Sequence, residues 1–356
     1  MKIIIIGGGW FGNYLGYKLK GRHKVILLEE NSRIMMNAAT KNQNRLHLGF
    51  HYPRSNETII QSQSGFEEFK LEFPFLTKKI FNNIYSISKY SQVSPEDYLS
   101  VMSEHNLSYS LLSKKEERAL TLKNIDLSIK VDEELILSKR AQKYFSMENS
   151  NILKCNSRVV SIDPDLKKVH TDHEQYSYDI LINTTYNDTN KLYDFEGKVP
   201  LKFEYCVLPI YKSKRFMKND FALTVMDGSF VSLYPYRKNF FTLSSVANTP
   251  LAVYDEDITI KEESEMWEYL RNQYFLDKKY EQFETQLYDY IDKQYVDINH
   301  FSQFFTRKVK YKTDDNDCRD ARIIYENSII SVYPGKIDSI IYTLSLIHIS
   351  EPTRPY

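Results

Sequence analysis

Cysteine is scarce in this chain: Cys155, Cys206 and Cys318 are the only three in 356 residues. They lie far apart, with no metal-ligand spacing and no even number for a disulfide framework, so the sequence reads as metal-free and suited to a reducing cytoplasm. Net charge is missing as well, since 47 Lys and Arg face 47 Asp and Glu. That balance removes the general case for nucleic acid or an anionic membrane as partner and confines any basic patch to a local site. Long apolar runs are also lacking. The opening one stops at Gly7 after four isoleucines, too short for a signal-peptide core or a membrane span, so no integral membrane segment is expected. The 28 Tyr and 20 Phe are abundant, but the count alone carries no functional inference.

What is present begins at the first residues. Lys2-Ile3-Ile4-Ile5-Ile6 reads as a buried strand that feeds directly into Gly7-Gly8-Gly9-Trp10-Phe11-Gly12, a G-x-G-x-x-G, and the acidic pair Glu29 and Glu30 follows at dinucleotide-binding distance. Gly7 turns the chain off the strand, Gly9 lets backbone approach a pyrophosphate, and Gly12 lets a helix over Trp10–Leu19 pack on the sheet. The pyrophosphate would sit on free N–H groups at the start of that helix, beside Trp10 and Phe11. Lys24–Leu28 predicts a second parallel strand whose end places Glu29 on ribose hydroxyls, with Glu30 toward solvent. The length allows two domains.

The segment Ala38 to Ser55 then concentrates chemistry: two histidines, two arginines, a tyrosine and three amides in eighteen residues exceed what a connecting loop requires. It resembles the second characteristic block of the FAD-dependent oxidoreductases of the D-amino-acid oxidase and glycine oxidase superfamily, in particular a bacterial branch associated with surface-polysaccharide gene clusters. The resemblance implies FAD as cofactor, with Ala39, Thr40, Asn44 and Arg45 along its diphosphate and flavin. It also makes His47, His51 and Tyr52 catalytic candidates and Arg54 a substrate-side candidate. As isolated residues, the histidines are equally compatible with hydrogen-bonded packing, and the arginines with covering apolar surface.

Later blocks extend the likeness over most of residues 1–343. Arg158–Ile162 and Lys168–Thr171 read as short adjacent strands and Tyr178–Asn183 as a buried parallel strand. In the family, Val159 or Val160 would meet adenine, and Thr184 would approach the cofactor, although relatives carry a small residue where Tyr186 stands. Near the end, Gly335, Lys336 and Ile337 resemble the last flavin loop. Arg319, with Arg322 competing, is the candidate to pair a substrate carboxylate through two parallel hydrogen bonds, and a surface ion pair remains equally open.

The fold class implied is α/β: a Rossmann-like FAD-binding domain (1–80, 131–195 and 313–343) with a second α+β substrate domain (81–130 and 196–312) on an antiparallel sheet. The sheet reads as a meander of Lys202–Tyr211, Ala222–Met226, Ser229–Tyr236 and Phe240–Ala247, and Glu262–Leu287 as a helix covering it. Ser138–Met147 predicts another helix. Tyr234 is a substrate-binding candidate, as Tyr236 and Arg237 would be, but alternation makes Tyr234 and Tyr236 equally a buried aromatic ladder. Residues 344–356 resemble a translated sequencing adapter through Leu344 to Arg354 and are set aside as a non-native tail.

The activity implied is oxidation of a C–H beside an amine or alcohol of a small amino-acid-derived or sugar-derived substrate by hydride transfer to flavin N5. The electron acceptor, oxygen or another, is left open by the sequence. Two alternatives of other classes are a flavin-dependent nucleotide-sugar isomerase with no net redox change and a non-catalytic flavin-binding protein.

Overall fold

The computed structural model describes residues 1–215, 221–255, 258–312, 321–333 and 335–347. The isoleucine run forms β1 (Lys2–Ile6), Gly9 opens α1 (Trp10–Leu19), and β2 (Lys24–Leu28) returns parallel to β1 in the register Ile5 to Leu27. On its other edge β1 pairs in parallel with Ile180–Asn183, which in turn pairs in parallel with Ile329–Tyr333. Arg322–Glu326 and Leu153–Lys154 close a six-stranded sheet. Alternation of the β1 isoleucines explains its two faces. Ile3 and Ile5 point into a core with α1, Ser138–Glu148 and α2 (Asn56–Glu72), whereas Ile4 and Ile6 face the small sheet of Val159–Asp163, Lys168–Thr171 and Gln175–Ser177.

The second large sheet has nine strands. Leu201–Ser213 is its spine, and Ile298–Tyr311 runs antiparallel along it from Leu201 opposite Tyr311 to Ser213 opposite Ile298. The expected meander is rearranged: Phe221–Met226, Val231–Arg237 and Phe240–Ser245 are consecutive neighbours, but Leu201–Ser213 joins next to Phe240–Ser245. One pairing is parallel, between Phe221–Met226 and Asn82–Ser88, which carries the early segments Ile125–Val131 and Tyr109–Leu111 into the same sheet.

The single helix expected over 262–287 is two, Ile260–Leu270 and Gln273–Tyr288. Asn272 separates them because its side chain accepts from the Phe275 N–H at 3.2 Å and starts a new helix. The second helix buries Leu276, Tyr280, Phe283 and Leu287 against the nine-stranded sheet. A small ladder of β3 (Arg45–Leu46), Glu134–Ile136 and Thr77–Lys79 links the two sheets. No described helix is long and apolar enough to cross a membrane.

Candidate active site

A cavity of about 1390 Å³ runs between the carboxyl ends of β1 and β2 and the nine-stranded sheet. It exceeds the roughly 300–1,000 Å³ of an ordinary small-molecule pocket. At one end lies the glycine turn. Gly7 has φ of 100°, and Gly12 packs so closely that a Cβ on it would stand 1.9 Å from the Gly7 carbonyl oxygen and 2.7 Å from Thr184 Oγ1. Gly9 differs from both. Its φ is −76°, and a Cβ there would meet no protein atom within 4 Å, so neither backbone conformation nor internal packing demands glycine. The space in front of Gly9 belongs to the cavity.

The helix that starts there carries no side-chain cap and no acidic residue in its first turn, which leaves its N-terminal N–H groups for an anion. Asn13 holds the turn by donating from Nδ2 to the carbonyls of Gly8 at 2.7 Å and Gly9 at 2.8 Å. Glu29 is buried at the end of β2 and accepts from the Gly8 N–H at 2.7 Å and from the Asn31 N–H and amide at 2.9 and 2.6 Å. A carboxylate has about four acceptor sites, so three such bonds still leave capacity for a hydroxyl. Glu30 is exposed at the cavity wall.

Farther along this wall are Val160 and Thr184. Thr184 Oγ1 donates to Ile6 O at 2.7 Å and also contacts Gly7 O at 3.0 Å, tying the third parallel strand to the glycine turn. Tyr186, where the sequence departs from the pattern it otherwise resembles, has φ of 60°. That left-handed backbone suits glycine, and here the Tyr186 hydroxyl accepts from the Val309 N–H at 3.2 Å.

The opposite end gathers the aromatic and basic candidates. His47, His51, Tyr52 and Arg54 all line the cavity, as do Gly335, Lys336 and Ile337. The rings of His47 and His51 are 5.6 Å apart, and His51 meets Phe230 edge-on at 4.9 Å. Lys336 Nζ stands 3.6 Å from the Tyr52 ring centroid and donates to Ser62 Oγ at 2.6 Å. Arg54 donates from Nη1 to Asp227 Oδ2 and to Gln92 Oε1, both at 2.7 Å. Its side chain is 44% exposed whereas that of Asp227 is 4% exposed, so the buried acid holds the guanidinium at the cavity edge.

Ala39, Asn44 and Arg45 also line the cavity, and the Ala39 carbonyl accepts from Trp10 Nε1 at 2.9 Å. Arg45 reaches into the second sheet, donating to Thr224 Oγ1 at 2.8 Å and Gln43 Oε1 at 2.9 Å, and also to Ser232 Oγ. Its guanidinium carbon lies 4.2 Å from the Tyr234 ring centroid.

Two candidates stand apart. Thr40 turns inward and donates to Met35 O at 3.0 Å, bracing the loop from behind. Tyr234 is fully buried, with its hydroxyl donating to Glu134 O at 3.2 Å and its face covered by Arg45, so this position packs the sheet. Arg319 lies outside the described residues. Sequence reasoning passed over Asp227, Gln43 and above all Glu133. Glu133 is fully buried, accepts from the Tyr85 hydroxyl at 2.6 Å and the Leu48 N–H at 2.9 Å, and lies 3.5 Å from His47 Nδ1. Its only sequence signal is an acid placed where the chain re-enters a buried strand.

Residues 5–61 match the NAD(P)-binding Rossmann-like domain family. Over its whole length the chain superposes on glycine oxidase from Geobacillus kaustophilus with a TM-score of 0.72, covering 99% of this chain and 95% of that one at 11% identity. This is the glycine oxidase fold. The dithionite-reduced L-α-glycerophosphate oxidase from Mycoplasma pneumoniae, solved with FAD bound, shares it with a TM-score of 0.70 at 14% identity, covering 100% of this chain and 96% of that one. By sequence, the chain is 30% identical over 250 residues to the FAD-dependent monooxygenase FPY4 of Fusarium mangiferae. The match takes in 69% of this chain and 64% of that protein. In the glycine oxidase fold observed here, the cavity spans the glycine turn and the His47 cluster without interruption.

Proposed function

We propose that this chain is an FAD-dependent oxidoreductase that oxidises the C–H beside an amine or hydroxyl of a small amino-acid-derived or sugar-derived substrate. One observation carries the reading: a single cavity joins an uncapped helix start at Gly9 to a cluster of His47, His51, Tyr52 and Arg54. The open space at Gly9 fits a diphosphate, and the residual acceptor capacity of Glu29 fits a ribose. Val160 would meet the adenine, Thr184 the diphosphate side, and Gly335, Lys336 and Ile337 the flavin edge. Bound there, FAD would supply a two-electron acceptor.

The protein orients the substrate. Arg54 stands at the cavity edge, and a planar guanidinium can present a carboxylate with parallel donors. Asp227 fixes that fork in place. His47 and Tyr52 are placed to accept or hold the proton that leaves an amine or hydroxyl as its C–H is oxidised. We further propose the discontinuous division into a cofactor domain (1–80, 131–195, 313–343) and a substrate domain (81–130, 196–312), supported by the membership of the two large sheets. A reducing cytoplasm is the proposed compartment, supported by the free thiols of Cys155 and Cys206. The resemblance to the surface-polysaccharide branch places amino sugars and hydroxylated sugar derivatives beside amino acids as substrates to test.

The test is anaerobic mixing of the FAD-loaded protein with members of each class. Bleaching of the flavin bands by one class, and its attenuation in Arg54→Met for acids alone, is the expected result. Loaded protein that no amine or alcohol reduces would overturn the oxidoreductase reading.

A further inference from the structure

Glu133 is a fully buried carboxylate between Ile125–Val131 and Glu134–Ile136, the first in the nine-stranded sheet and the second in the ladder that links it to the cofactor side. A charge in such a place needs donors from every side. Two reach it, the Tyr85 hydroxyl at 2.6 Å on Oε2 and the Leu48 N–H at 2.9 Å on Oε1, and His47 Nδ1 lies 3.5 Å from the same Oε1. Burial pushes this acid up, but His47, Tyr85 and Leu48 together outweigh it and hold Glu133 below the usual carboxylate range. Other ionisable groups surround the cluster, among them His51 and Tyr52, whose rings lie 5.6 and 5.8 Å from that of His47. Arg45 contacts the Tyr85 hydroxyl at 3.3 Å, Tyr98 donates to Phe50 O at 2.9 Å, and Tyr234 donates to Glu134 O. Asp338 also faces His47, but its burial drives it above its ordinary range. Glu133 is therefore the anion set against the imidazole.

The His47 ring is turned with Nδ1 buried and without a short hydrogen bond, and Glu133 is the acceptor in front of it. With Nδ1 inside, the partly exposed edge that lines the cavity carries Nε2. We infer that Glu133 is a positioning residue that fixes His47 as the Nδ1–H tautomer, so that the unprotonated Nε2 faces the substrate space. An ionised acceptor at Nδ1 selects that tautomer, as a carboxylate behind a ligating or catalytic imidazole does in general. The chemical consequence rests on the oxidoreductase reading: Nε2 would take the proton released by the substrate amine or hydroxyl, and a bound flavin would supply the acceptor for the hydride equivalent. The structural part does not depend on that reading.

The experiment is a long-range ¹H–¹⁵N correlation spectrum of histidine-labelled, FAD-loaded full chain, which reads each ring's tautomer directly, with His47→Gln to assign the signal. The expected wild-type state is Nδ1–H with a bare Nε2. Glu133→Leu, which removes both acceptor oxygens, should move His47 toward Nε2–H, the form a neutral imidazole favours when no acceptor faces Nδ1. Tyr85→Phe removes a neighbouring bond yet keeps the acid, and should leave the tautomer unchanged. A wild-type His47 in the Nε2–H form overturns the inference even if Glu133→Leu fails to fold. Retention of Nδ1–H in a folded Glu133→Leu also overturns it, because a purely structural acid would lower the melting temperature without altering the ring. The spectrum is informative whether or not any substrate bleaches the flavin, so failure here and failure of the oxidoreductase reading are separate outcomes.

Discussion

The glycine turn offers a paired perturbation in which two alanines of the same motif should fail in different ways. Gly12→Ala places a methyl 1.9 Å from the Gly7 carbonyl oxygen and 2.7 Å from Thr184 Oγ1, so α1 and β1 must separate by about an ångström or more to reach ordinary contact. Alanine gains about 1 kcal/mol in helix propensity. Backbone overlap falls at the upper end of the 1–3 kcal/mol typical of overpacking, leaving a net loss of about 2 kcal/mol. At about 2–4 °C per kcal/mol the melting temperature of the FAD-free protein should fall by about 4–8 °C. Gly9→Ala meets no protein atom within 4 Å, so the FAD-free form should melt with the wild type. Its methyl instead intrudes where the diphosphate approaches, and loss of one bond to a charged group costs about 1.5–3 kcal/mol. That corresponds to roughly 10- to 150-fold weaker FAD binding. Circular dichroism melts of the stripped proteins and titration of each with FAD by fluorescence quenching separate the two effects. A Gly9→Ala protein that melts well below wild type, or one that binds FAD as tightly, would refute the assignment of the space before Gly9 to the cofactor.

Other residues give equally definite expectations. Arg54→Met should raise the half-saturating concentration of a carboxylate substrate about 10- to 100-fold with little change in FAD affinity, given about 1.5–3 kcal/mol for the charged bonds lost; an unchanged titration removes Arg54 from substrate recognition. Tyr234→Phe deletes one buried bond to Glu134 O and should cost about 1 kcal/mol of stability while leaving substrate titration as it was; a shift in half-saturation would return Tyr234 to the substrate site. Asp338 is buried and raised above its ordinary range, chiefly by desolvation. The folded state thus holds its proton more tightly than the unfolded chain, and its contribution is complete below the unfolded value near about 4 and is lost as pH rises through the folded one. Asp338→Asn should therefore flatten the decline of melting temperature above that pH; an identical decline in the variant would assign it to other groups.

The local elements were legible because local chemistry specifies them. The isoleucine run, the glycine spacing and Lys24–Leu28 set β1, α1 and β2 with no reference to distant residues. Lys168–Thr171 matches its strand for the same reason. Pairing across long separations was not legible. Leu201–Ser213 could not announce that Ile298–Tyr311 would run along it, nor Phe221–Met226 that its parallel neighbour would be Asn82–Ser88. The break at Asn272 was missed because apolar spacing continues through it, while the decisive feature is a side-chain cap. In the site, the segment from Ala39 to Arg54 stood out by residue type, and the structure brings most of it to one cavity. Alternation could not tell whether Tyr234 faces that cavity or the sheet core. Glu133 is recognisable only through its burial and its partners, which one-dimensional spacing does not encode.

The most direct measurement is the absorbance and released-flavin content of the purified chain, read before and after anaerobic addition of the amino-acid and sugar panel. The account predicts flavin bands near one FAD per chain that bleach with one substrate class. A protein that neither carries nor takes up FAD when the cofactor is supplied would contradict it.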